Sequence, residues 1–198
     1  MGNNRILIVD DTPSIHEDFR KILMTSDNTG KDLDMMADSL FGSTDQDPVY
    51  KNINYELESA YQGEEALKMI EKAELEGEGY SLVFMDVRMP PGLDGIKTIS
   101  KIWEQYPCME IVICTAYSDY SWVDIIDILG PSDHLLVLKK PFDADEAQQM
   151  ALAMTQRAAK ASEQKKKIQT LQTSLDECHE NFINLKKEIE SNKTEDDN

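Results

Sequence analysis

Residues 81–95 read SLVFMDVRMPPGLDG. A short apolar run climbs to a single carboxylate, Asp86, and the chain then breaks into a turn rich in Pro and Gly. An apolar run of this length, bounded by turn residues, suits a strand buried on both faces in a parallel sheet. Open α/β sheets bind their ligands at the carboxyl edge of the strands. Asp86 is therefore either a turn-capping Asp or a site residue, and the ends of the other strands decide between the two.

Toward the N-terminus, Arg5 to Val9 (RILIV) reads as a strand ending at Asp10-Asp11. Pro13 opens a helical pattern with Ile15, Phe19, Ile22 and Leu23 on one face. Periodicity then fails over residues 25–53, which carry six Asp, two Lys, Gly30, Gly42 and Pro48. The segment exceeds the usual short helix–strand connection, and we expect an inserted loop or a partly helical flap around residues 33–40. Asn54 to Ala60 alternates like a strand, and Gly63 to Ala73 reads as a helix with Ala66, Leu67 and Ile70 inward.

Beyond Asp86, a helix is expected from about Asp94 to Gln105, carrying Ile96, Ile99 and Ile102. Glu110 to Cys114 is the next strand and ends at Thr115. Trp122 to Leu129 forms a helix closed by Gly130-Pro131, and Leu135 to Leu138 a last strand before Lys139-Lys140-Pro141. Strand and helix thus alternate five times. That order predicts a parallel sheet with helices on both faces, joined by right-handed crossovers.

The final helix starts after Asp143, with Glu146 in a capping-box position. Ile168, Leu171, Leu175, Cys178, Phe182, Leu185 and Ile189 then step alternately by three and four. Traced backward, the same register meets Gln164, Ala161, Arg157, Met154 and Met150, a weaker seam. We read residues 151–192 as a long helix forming a two-stranded coiled coil, since no second helix in the chain is available to cover it. The alternative is an amphipathic helix folded back on its own domain. Residues 193–198 are expected to be a disordered polar tail. The domain proper spans residues 1–150.

Charge narrows the functions. The first 156 residues hold 12 basic and 29 acidic side chains, while the remainder is nearly balanced at 8 and 9. So acidic a domain repels phosphate backbones and anionic lipid heads, which argues against direct nucleic-acid or membrane binding. It suits a cleft that collects a divalent cation. No run approaches the about 18 apolar residues of a membrane span, and the N-terminus lacks a signal-peptide pattern. Cys108, Cys114 and Cys178 match no metal-ligand spacing and fit reduced thiols in a cytoplasmic protein, with Cys114 filling the core.

Five residues meet at one sheet edge in this arrangement: Asp10 and Asp11, Asp86, Thr115 and Lys140. Crowded carboxylates repel one another, and a divalent ion relieves that repulsion. Oxygen ligands with open positions suit Mg²⁺, which prefers one or two carboxylates plus a phosphate oxygen. A Lys and a Thr hydroxyl beside them provide a cation and a donor for an anion. These parts describe a carboxylate that accepts a phosphoryl group.

Four segments in order, LIVDD, FMDVRMP, ICTA and LKKPF, make the chain from about Arg5 to Met154 resemble a response-regulator receiver domain of two-component signalling. The resemblance implies a flavodoxin-like, doubly wound five-stranded parallel sheet of order 2-1-3-4-5. It implies Asp86 as phosphoacceptor, with Asp11, Asp86 and the Arg88 carbonyl coordinating Mg²⁺ and Asp10 supporting the metal. Thr115 and Lys140 engage the phosphoryl group, Lys140-Pro141 is a cis peptide, and the small Ala116 leaves the entrance open. The implied donor is a histidine kinase or a histidine phosphotransfer protein.

Four departures stand out. MPPGLDG is one residue longer than the family's usual turn. Val137 stands where many receivers place a switching aromatic. Arg88 and Tyr117 are large at positions that tune phosphoryl lifetime, from which slow hydrolysis is expected. Residues 25–53 are an insertion. The chain is expected to act as a phosphorylation switch that transmits its state through the C-terminal coiled-coil helix, non-enzymatic apart from its own phosphoryl chemistry, homodimeric through that helix. Alternatives are the regulatory front of a longer cyclic-dinucleotide enzyme or kinase module with its output domain after Asn198, or an unphosphorylated dimerisation scaffold. A haloacid-dehalogenase-type phosphatase would need a second Asp two residues after Asp86, where Arg88 stands.

Overall fold

The computed structural model describes residues 4–24, 53–116 and 120–196, with side chains described as far as residue 184. The expected flap at 33–40, nearly all of the 25–53 insertion, and Tyr117 lie outside the described residues. In order the elements are β1 (Arg5–Val9), α1 (Pro13–Met24), β2 (Glu56–Ala60), α2 (Gly63–Leu75), β3 (Leu82–Asp86), α3 (Gly95–Gln105), β4 (Ile111–Thr115), α4 (Trp122–Leu129), β5 (Leu135–Lys139) and α5 (Ala144–Asp196).

All five strands are parallel, in the order β2-β1-β3-β4-β5. This is the doubly wound arrangement that the alternation of strands and helices predicts. β1, β3 and β4 are buried almost throughout. Because side chains alternate across a strand, each continuous apolar run feeds two cores at once. Leu7, Val9, Val83, Met85, Ile111 and Ile113 join Ala66, Ile70, Ile96, Ile99 and Ile125, the layer of α2, α3 and α4. Ile6, Ile8, Leu82, Phe84, Val112 and Cys114 join Phe19, Leu23, Ala147, Ala151 and Met154, the layer of α1 and the start of α5. Phe19 centres this second layer, its ring 4.5 Å from Phe84 and 5.0 Å from Phe142.

Helix ends follow local chemistry. The Asp94 side chain accepts from the Lys97 amide at the start of α3. Ser121 and Asp124 form a reciprocal capping box on α4, and Gly130 closes that helix with φ of 77°.

By contacts the chain divides into two units, Met1–Ala159 and Lys160–Asn198. The second is helical to Asp196, past the boundary at 192 read from the sequence. Within it Ile168, Leu171, Leu175 and Phe182 are exposed. No helix among the described residues is long and apolar enough to cross a membrane. All three cysteines are free, and Cys114 packs in the second core.

Candidate phosphoacceptor site

Parallel pairing of β1 with β3 and of β3 with β4 brings the strand ends to one edge. Asp10 and Asp86 are buried there, 2% and 8% exposed. Lys140, just past β5, reaches both: its Nζ donates to Asp10 Oδ2 at 2.6 Å and to Asp86 Oδ1 at 2.5 Å. The Lys140 amide donates to the Thr115 carbonyl at 2.8 Å, tying its backbone to the end of β4. The Lys140-Pro141 peptide is cis, as is Pro90-Pro91.

The remaining carboxylate oxygens are held by the chain itself. The Arg88 amide donates to Asp86 Oδ2 at 2.9 Å, and the Thr12 amide to Asp10 Oδ1 at 2.9 Å. Asp11 is half-buried and accepts from the Thr12 hydroxyl at 3.2 Å. Thr115 is buried, and its hydroxyl donates to the Ala116 carbonyl at 3.0 Å. The structure thus joins Asp10, Asp86 and Lys140 by side chains and Thr115 by its backbone. Asp11 and the exposed Arg88 stand next to this group in the chain. No trio of His, Cys, Asp or Glu side chains in metal-holding geometry occurs among the described residues.

Two carboxylates against one ammonium leave this edge with an excess of negative charge. Burial pushes the Asp86 carboxyl above the ordinary carboxylate range, more than the hydrogen bond and charge of Lys140 pull it down, and Asp10 adds to the rise. For Lys140, burial works downward, but the bonds to Asp10 and Asp86 outweigh it and the net direction is up. The ammonium is therefore firmly charged.

Three supporting residues escaped the sequence reading. The Gly95 amide donates to the Val87 carbonyl at 2.9 Å, and a Cβ at Gly95 would lie 2.0 Å from the Asp86 carbonyl oxygen. Only glycine lets α3 start this close to the acidic strand end. The long turn is held from α2, where Glu64 accepts from the Leu93 amide at 3.1 Å. His16, fully buried on α1, places Nε2 2.8 Å from the Asp10 carbonyl and fixes the turn after β1. A lone Gly and a lone His carry no spacing signal. Val137 is half-buried and lines a cleft of about 220 Å³ with Thr115, Ala116, Tyr120, Trp122 and Ile125.

Comparison with known proteins identifies the family of this fold. Residues 49–152 match the family model of the response regulator receiver domain. The match contains Asp86, Thr115 and Lys140; Asp10 and Asp11 lie before it and are brought in by the pairing of β1. The DNA-binding transcriptional regulator NtrC of Proteus hauseri is 37% identical over 84 residues, 42% of this chain and 16% of that protein. The Escherichia coli K12 protein of that name is 35% identical over 77 residues, 39% of this chain and 15% of its own length. The chain therefore spans about a sixth of the curated relatives it matches.

Among solved structures, one titled adenylate cyclase from Rhodopirellula baltica aligns over 84% of this chain and 98% of its own, with TM-score 0.58 and 20% identity. A CheY-like receiver domain protein from Methanospirillum hungatei aligns over 80% and 98%, with TM-score 0.52 and 21% identity. With the fold, the edge and the matched span in agreement, the chain belongs to the response regulator receiver domain family of two-component signalling.

Proposed function

We propose that this chain is a phosphorylation-dependent switch whose phosphoacceptor is Asp86. The observation that carries the proposal is the buried Asp86 carboxylate at the end of β3, with one oxygen on Lys140 Nζ and Asp10 beside it. In the reaction, an Asp86 oxygen attacks the phosphorus of a phosphohistidine on a histidine kinase or phosphotransfer protein. The new O–P bond forms as the P–N bond breaks, and its electron pair leaves with the imidazole nitrogen. Lys140 then pairs with the charge gathering on the phosphoryl oxygens. The Thr115 hydroxyl leaves the Ala116 carbonyl and donates to one of those oxygens, which shifts a two-state equilibrium around β4.

The donor set fits Mg²⁺. That ion uses one or two carboxylates and keeps its other positions for water and phosphate, so it requires no preformed trio of acids. Asp10, Asp11, Asp86 and the Arg88 carbonyl would hold it, and two carboxylates sharing one ammonium supply the attraction. When bound, it neutralises the charge on the transferred group. Beyond this phosphoryl exchange we assign the chain no separate catalysis. The bulk of Arg88 beside the acceptor favours slow hydrolysis of the phosphoryl group.

We take residues 1–150 as the switch, with its insertion at 25–53, and residues 151–192 as a helix that pairs with a second copy. Because the chain covers only 16% of its longer NtrC-type relative, we also carry the reading that it is the regulatory part of a longer signalling protein. Incubation with acetyl phosphate and Mg²⁺, followed by intact mass spectrometry, tests the switch. The wild-type chain gains the mass of one phosphoryl group. A gain that persists in Asp86→Asn, or no gain in the wild type, overturns the assignment.

A further inference from the structure

Resting on the reading that the final helix pairs with a second copy, we propose that the two helices run antiparallel. The seam is open to cover: Ile168, Leu171, Leu175 and Phe182 are 57%, 70%, 69% and 64% exposed and follow one heptad register. What sets the direction of pairing is the distribution of charge and of side-chain size along that register.

Charge along the helix is polarised. Residues 157–175 contain five basic side chains and one acidic, whereas residues 176–198 contain eight acidic and three basic. A parallel pair sets like blocks side by side and in addition brings Lys160 beside Lys165 of the second copy, at the flanking positions that select partner and direction. An antiparallel pair lays each basic block along the acidic block of the other copy. The segment before the helix adds to this. Its 12 basic and 27 acidic residues make two copies mutually repulsive, and antiparallel pairing sends them to opposite ends of the seam.

Layer volumes favour the same direction. In a parallel, in-register pair Phe182 meets Phe182 and Cys178 meets Cys178, an oversized layer next to an undersized one. The antiparallel register with full overlap puts Leu171 against Phe182 of the second copy, and Leu175 against Cys178 of the second copy. Both of these layers then combine a larger with a smaller side chain, in keeping with native packing density.

The experiment uses the full chain with Cys108→Ser and Cys178→Ala, a spin label at Ser162→Cys outside the seam, and light scattering on the same sample. At 1.5 Å rise per residue, antiparallel pairing separates the two labels by about 40 Å. Parallel pairing holds them within about 20 Å, the sum of two helix diameters with side chains. A dimer with the long distance is expected. A dimer with the short distance overturns the antiparallel assignment alone. A monomer overturns the pairing reading and this inference with it. A Leu171→Asp variant checks that the seam forms the contact: it is expected to abolish the long distance, and a dimer that survives it with the distance unchanged overturns the proposal.

Discussion

At the carboxyl end of the sheet Asp10 and Asp86 share the single ammonium of Lys140, whereas at the amino end one buried carboxylate has two basic partners. Glu110, 1% exposed, lies 2.9 Å from His134 Nδ1 and 3.2 Å from Arg157 Nε, and Arg157 also reaches Asp133 at 2.7 Å. The two sites are the opposite ends of β4, since Glu110 precedes Ile111 and Thr115 closes the strand. Their stoichiometry differs: with Asp133 counted, the amino end sets two acids against two basic side chains, the carboxyl end two acids against one. An edge with acid left over attracts a further cation and a group that brings one. An edge whose acid is already matched holds a strand to a helix, here β4 and β5 to α5. Buried charge is costly unless paired, so a surplus that persists under burial singles out the edge we propose as the phosphoacceptor site.

The comparison breaks most easily at Asp86. Asp86→Asn is expected to abolish phosphoryl gain, the largest effect anticipated. It is also expected to raise the urea midpoint of the Mg²⁺-free protein at neutral pH. With its folded value raised, Asp86 supports folding in its protonated form, fully so below its ordinary value, and that support is lost as pH rises through the folded value. The ionised carboxylate thus opposes folding at pH 7, and an amide removes the opposition. Glu110→Gln should act in the opposite direction, lowering stability by about 1.5–3 kcal/mol through loss of charge-assisted hydrogen bonds. Its cost should be indifferent to Mg²⁺. Urea titrations of both variants with and without the ion read this directly; shifts of the same sign would end the distinction between the two edges.

A third substitution asks how closely the active edge depends on its backbone. Gly95→Ala drives a Cβ against the Asp86 carbonyl, which is backbone and cannot swing aside. The expected cost is about 1–3 kcal/mol, as for other overpacked sites, with slower phosphoryl gain at unchanged Mg²⁺. Unaltered stability and rate in this variant would mean that the turn after β3 relaxes freely.

Much of this architecture was legible because it follows local pattern. β1, β3 and β4 are short apolar runs stopped by acids or Thr, so their ends, and hence Asp10, Asp86 and Thr115, could be placed before any coordinates. β2 was harder. It is an edge strand exposing Glu56, and it begins there rather than at Asn54. Gly95, His16 and the Glu110–His134–Arg157 group were not legible, because each acts on a neighbour distant in sequence. Glu110 and His134 meet only because β4 pairs with β5 in the register that sets Ile111 opposite Leu135. Arg157 joins them only because α5 packs through Ala147, Ala151 and Met154 on the second core. Periodicity reports which face is buried, not which polar tips converge beyond the strand.

The smallest effect is expected at Glu58, on the edge strand. Glu58 is bonded to Arg5 and accepts from the Tyr80 hydroxyl at 2.9 Å. Burial tends to raise its carboxyl, but the hydrogen bonds from Arg5 and Tyr80 prevail and the net direction is down. A lowered folded value means stability that is present above the ordinary carboxylate range and is lost as pH falls through the folded value. Glu58→Gln should therefore cost at most about 1 kcal/mol at pH 7, the scale of a solvent-screened pair, since the side chain is 38% exposed. The cost should shrink as pH falls below the ordinary carboxylate range and through the lowered folded value, and urea midpoints across an acid pH series measure it. A larger penalty, approaching that of Glu110→Gln, would show that exposure does not weaken the Arg5 pair, and charge balance rather than burial would then rank the acids of this sheet.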